Sequence, residues 1–132
     1  MIADCPATHV HSPPSAAAPA PISGLAWVQA SRALAGVLFT WNGSPALELP
    51  TGGAWRNGST AKVLWWPRRA GGRSLTIRGR SLDAGGGTFI QKFSAASSGY
   101  PSIVDIPSAG CWRIDVTTGT LHGTVVVRAV AP

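Results

Sequence analysis

The chain has 132 residues, a net charge of +6, 45% hydrophobic residues and only 12% charged ones, about half the usual charged share. That length fits one domain with a real core, and six tryptophans supply burial that a disordered chain lacks. A membrane helix is excluded, because Gln29, Ser31 and Arg32 interrupt the longest apolar candidate, residues 24–41, short of about 20 apolar residues.

Eleven basic residues against five acidic ones favour anionic partners. No dense basic run occurs, so the same cations serve equally as a solubilising surface. The start "MIADCPATHV" has neither a charged n-region nor a hydrophobic h-region, so no signal peptide is read there. Residues 1–22, rich in Ala, Pro and Ser, read as an extended arm, since proline removes backbone donors and favours polyproline conformations. Residues 23–132 read as the folded domain.

Within that domain Gly and Pro punctuate short apolar runs, and no helical stretch emerges. "GLAWVQA" (24–30) and "GVLFTWN" (36–42) predict the first two strands, with Val37, Phe39 and Trp41 on one face; "SRALA" between them alternatively forms one helical turn. "ALELP" (46–50) predicts a short edge strand and "AKVLWWP" (61–67) a strongly apolar one. "RSLTIRGRSL" (73–82) alternates, with Leu75 and Ile77 inward and Thr76, Arg78 and Arg80 outward. "GTFIQKFS" (87–94) sets Phe89 and Phe93 against Lys92. "YPSIVDIP" then leads into "GCWRIDVTTGTLHGTVVVRAV", a hairpin turning at Thr118-Gly119. Eight or nine short strands at this spacing predict an all-β, immunoglobulin-like sandwich of antiparallel strands.

Alternation also places the two cysteines. Trp112, Ile114 and Val116 share the core face, so Cys111 points outward. The only other cysteine is Cys5, and a Cys5–Cys111 disulfide would strap the arm across the outer face of that strand. Such a bridge implies an oxidising compartment; the alternative is two free thiols, with Cys111 under a loop.

The sequence offers residues for three kinds of chemistry. "CPATHVH" offers Cys5, His9 and His11 as copper or zinc ligands, yet a structural zinc wants four, and solvated tail histidines are the plainer reading. The carboxylates Asp4, Glu48, Asp83, Asp105 and Asp115 form no paired acid–base motif, and "DAGGGT" (83–88) precedes a strand, so it reads as a turn and not as a phosphate loop. A non-enzyme without cofactor is expected. The tandem Trp65 and Trp66 must face opposite ways in a strand; one of them, with Arg68, Arg69 and Arg73, would stack on sugar rings or nucleobases, unless both are buried. Tyr100 is expected to anchor structure through its hydroxyl.

The stretches "KVLWWP", "LTIRGRSLDA", "YPSIVDIPSAGCWRIDV" and "GTVVVRAV", with the Cys-Pro start, resemble a group of small uncharacterised bacterial envelope proteins, often predicted lipoproteins. "GCWRIDV" followed by a hairpin also looks like the closing strands of immunoglobulin-like sandwiches. The resemblance implies an exported protein of periplasm, cell surface or secreted fraction. The leading expectation is a non-catalytic accessory module docking on a larger envelope or membrane complex. The second is a binding module for anionic glycan or lipid headgroups, and the third a copper- or zinc-handling arm. Nucleic acid is not expected as a partner.

Overall fold

Nine strands in two sheets account for the alternating runs, and no helix occurs among the described residues. The structure is a computed structural model and describes residues 5–12, 24–68, 74–94 and 99–132. The strands are β1 (Trp27–Ser31), β2 (Leu34–Leu38), β3 (Glu48–Pro50), β4 (Lys62–Pro67), β5 (Leu75–Ser81), β6 (Thr88–Phe93), β7 (Tyr100–Ile103), β8 (Gly110–Thr118) and β9 (Leu121–Val130). One sheet has the order β1-β2-β4-β7 and the other β3-β9-β8-β5-β6. The chain crosses between sheets at every connection except the hairpins β1–β2, β5–β6 and β8–β9, as a sandwich requires.

The core lies where the inward faces meet. Val28, Leu34, Leu38, Val63 and Trp65 of the first sheet pack against Leu75, Ile77, Trp112, Ile114, Val116, Val125 and Val127 of the second. The period of two read in β5 and β8 is observed: Leu75, Ile77, Ile114 and Val116 are buried, while Arg78, Arg80 and Arg113 are exposed. β2 is different, because all five residues are buried. Ala35 and Val37, with Leu64 of β4, are covered on the side of the sheet away from the main core.

Four readings need correction. β2 ends at Leu38, so Phe39 and Trp41 lie in the following loop and not on the strand. "SRALA" is a tight turn between β1 and β2, with Ser31 and Leu34 paired, and not a helical turn. β3 pairs in parallel with β9 through Glu48↔Arg128 to Pro50↔Val130, so the strands are not all antiparallel. The last hairpin turns one residue later, at Gly119-Thr120, because Thr118 pairs with Leu121.

The bridge between Cys5 and Cys111 is formed, with Cα atoms 5.5 Å apart, and Cys111 is buried outside the core cluster. Such a bond belongs to an oxidising environment. Beyond Cys5 the chain does not cross the face of β8. It follows the open edge of β9, where the Thr8 amide donates to the Val126 carbonyl and the Val126 amide to Thr8 Oγ1. Val10 then donates to Pro45, and His11 exchanges two backbone bonds with Trp27 of β1. Residues 8–11 thus lace an edge of one sheet to an edge of the other, and Val10, 4% exposed, joins the core. Residues 13–22 of the arm lie outside the described residues.

Candidate functional site

The tandem tryptophans divide as alternation requires. Trp65 is 2% exposed in the core, so its ring is not available to a ligand. Trp66 is half-buried on the opposite face, and Arg68 is exposed. Arg69 and Arg73 fall outside the described residues. His9 and His11 lie on one side of the arm, their rings 4.9 Å apart, and His11 stacks on Trp27 at 4.4 Å. The Cys5 sulfur is committed to the disulfide, and no cluster of three or more His, Cys, Asp or Glu gathers among the described residues.

A different pair of tryptophans shares a cleft. The loop after β2 and the turn before β4 bound about 600 Å³, lined by Phe39, Trp41, Trp55, Arg56 and Asn57 among others. Each loop carries the same short signal: "WNGS" (41–44) and "WRNGS" (55–59). In each, the serine amide donates to the asparagine side-chain oxygen, Ser44 to Asn42 at 3.1 Å and Ser59 to Asn57 at 3.0 Å. Gly43 and Gly58 both have φ of 90°, a conformation glycine adopts without a Cβ penalty. Two similar Asx-type turns therefore present two tryptophans from neighbouring loops.

The loops are also tied together and held in place. Thr40 Oγ1 donates to the Thr60 carbonyl at 2.7 Å, and the Phe39 amide donates to the Lys62 carbonyl. Asn42 Nδ2 donates to Glu48 Oε1 of β3 at 2.9 Å. Trp41 is 39% exposed, yet its indole N–H donates to the Ser44 carbonyl at 2.8 Å. Its ring is fixed by its polar edge while a large apolar surface meets water. Lys62 Nζ sits 5.1 Å from the centroid of the Phe39 ring that lines the cleft, a cation–π contact.

Chemically, the cleft offers aromatic faces and donors. Arg56 lines it and is in neither of the described ion pairs. Asn57 uses its side-chain oxygen within its own turn, which leaves its amide group as donor. Ala131 and Pro132 also line the cleft, and no Asp or Glu side chain does so among the described residues. Sequence reading missed Trp41 because alternation carried it into β2, and missed Trp55 because it stands outside any apolar run. The repeated Trp followed by Asn-Gly-Ser was the available signal.

Comparison with protein-family models, with curated proteins and with solved structures finds no match to this chain.

Proposed function

We propose that the protein is an exported, non-catalytic binding module that takes an acidic glycan in the Trp41–Trp55 cleft. The observation that carries this is the fixed, solvent-facing Trp41 beside Trp55 and Arg56, whose guanidinium is in no ion pair among the described residues. The C–H face of a pyranose ring is apolar and weakly positive, which suits the negative face of an indole. A uronate carboxylate suits a guanidinium that is in neither ion pair among the described residues. The volume lies within the range of small-ligand sites, and the loop hydrogen bonds order the cleft before a ligand arrives, which lowers the cost of binding.

Between the two leading expectations, docking on an envelope complex and binding of an anionic ligand, the cleft favours the second. An extracytoplasmic location at the bacterial envelope or cell surface is supported by the disulfide and by the resemblance of the tandem-Trp and "GCW" strands.

Isothermal titration with tetragalacturonate and with a neutral tetrasaccharide tests this reading. Tetragalacturonate is expected to bind the native protein. Trp41→Ala should weaken it at least tenfold, and Arg56→Ala should abolish the preference over the neutral sugar. No binding of either sugar, or equal affinity in Trp41→Ala, would sink the proposal.

A further inference from the structure

The outward face of the five-stranded sheet carries a second feature that the cleft does not use. Arg78 and Arg80 of β5, Lys92 of β6, and Arg113 and Arg128 of β8 and β9 all point to this side and are exposed. Arg80 stands directly in register with Arg113, and Arg78 with Asp115. Like charges opposed across an antiparallel pair are destabilising, so this arrangement is not one that stability alone would choose.

Asp115 offsets the charge of Arg113 alone. Its Oδ1 receives Arg113 Nε at 3.3 Å and Thr124 Oγ1 at 2.7 Å. Those bonds engage it along its own strand and toward β9, and Arg78 makes no described ion pair. The other described pair, Arg128 with Glu48 at 3.7 Å, lies at the β3 side of the sheet. Arg78 and Arg80 are thus left as open guanidinium groups. With Arg113 and its partner Asp115 they line a shallow groove of about 750 Å³, to which β6 adds Thr88, Phe89 and Ile90; three guanidinium groups against one carboxylate leave it net positive. Ile90 is 50% exposed and pairs with Arg78, which gives the groove an apolar wall.

The geometry points to a site for sulfate or phosphate ester groups carried on a polysaccharide. Residues two apart on a strand are separated by about 6.6 Å, and directly opposed residues by about 5 Å. Arg78 and Arg80 therefore offer two forks along the strand, and Arg113, its Nε held by Asp115, adds its Nη groups beside them. Guanidinium forks bind tetrahedral oxyanions in bidentate fashion. A flat, exposed face fits a long polymer and not a small ligand, and Ile90 offers a sugar backbone apolar contact. The identity of the polymer rests on the glycan reading given above; the anion site itself does not.

The test uses dextran sulfate as probe and uncharged dextran as control, with the full chain in low salt. Dextran sulfate is expected to bind, and dextran not to. Arg78→Ala/Arg80→Ala should weaken binding at least tenfold and lower the slope of log affinity against log salt by roughly one to two units. Trp41→Ala should leave dextran sulfate binding unchanged, whereas the arginine double variant should leave tetragalacturonate binding unchanged. The two proposals therefore fail separately. Native-like thermal melting of the double variant confirms that it folds. Absence of dextran sulfate binding, or equal binding by the double variant, overturns the site. A single-stranded oligonucleotide that binds as tightly, with the same arginine dependence, overturns the polysaccharide assignment.

Discussion

The Tyr100 hydroxyl crosses the core to Thr118 Oγ1 at 3.0 Å, joining β7 of one sheet to β8 of the other. Both residues are almost fully buried, so the pair is a polar link between layers in an apolar setting, where an unsatisfied group costs most. Tyr100→Phe should therefore destabilise the protein by about 1–2 kcal/mol, read as a lower urea midpoint with an unchanged slope. An unchanged midpoint would show that the link contributes nothing. The tryptophans divide by the same logic. Trp112 donates to the Ser108 carbonyl at 2.9 Å, whereas the buried Trp65 indole N–H has no partner among the described residues. Trp65 thus serves by area alone, and Trp41 keeps its ring in water with its N–H satisfied.

Among the elements, β1 and β9 come from different sheets and meet closely at Gly123. A Cβ there would lie 2.6 Å from the Cβ of Ala30 and 2.8 Å from its backbone carbon. Backbone does not yield as a flexible side chain does, so Gly123→Ala should cost about 1–3 kcal/mol; a calorimetric melt equal to the native one would contradict that contact. The strands were largely legible in sequence because one buried face imposes a period of two. Arg78, Arg80 and Arg113 could be placed outward, and Cys111 opposite Trp112, from that period alone. Where β2 stops was not legible, since the aromatics of the next loop continue its alternation. β3 has three residues, too few to encode a direction, so its parallel pairing with β9 follows only from the crossover. Val10 stands alone in a polar arm, and its burial depends on edges of β1 and β9 far away in sequence. The cleft was missed for a similar reason: it is built by two loops that are neighbours in space and not in sequence.

For the whole molecule, the disulfide closes a loop with a sequence separation of 106 residues. By the chain-entropy account this restricts the unfolded state, with an upper contribution of about 4–5 kcal/mol. The arm retains its own hydrogen bonds at Thr8, Val10 and His11, so Cys5→Ser/Cys111→Ser should still fold. Its melting temperature should fall by roughly 10–20 °C. An equal melting temperature in native and double variant would remove the bridge from the stability account. The disulfide and the laced edges keep the two sheets in one frame, and the Trp41 and Trp55 loops are mounted on that frame.

The most direct test of the acidic-glycan cleft is a nitrogen–proton NMR titration of the native protein with tetragalacturonate. The account predicts shifts of the Trp41 and Trp55 indole N–H signals and of backbone amides in 39–42 and 55–59, with the Trp65 indole unmoved. Shifts confined to residues 64–68, or none at millimolar sugar, would contradict it.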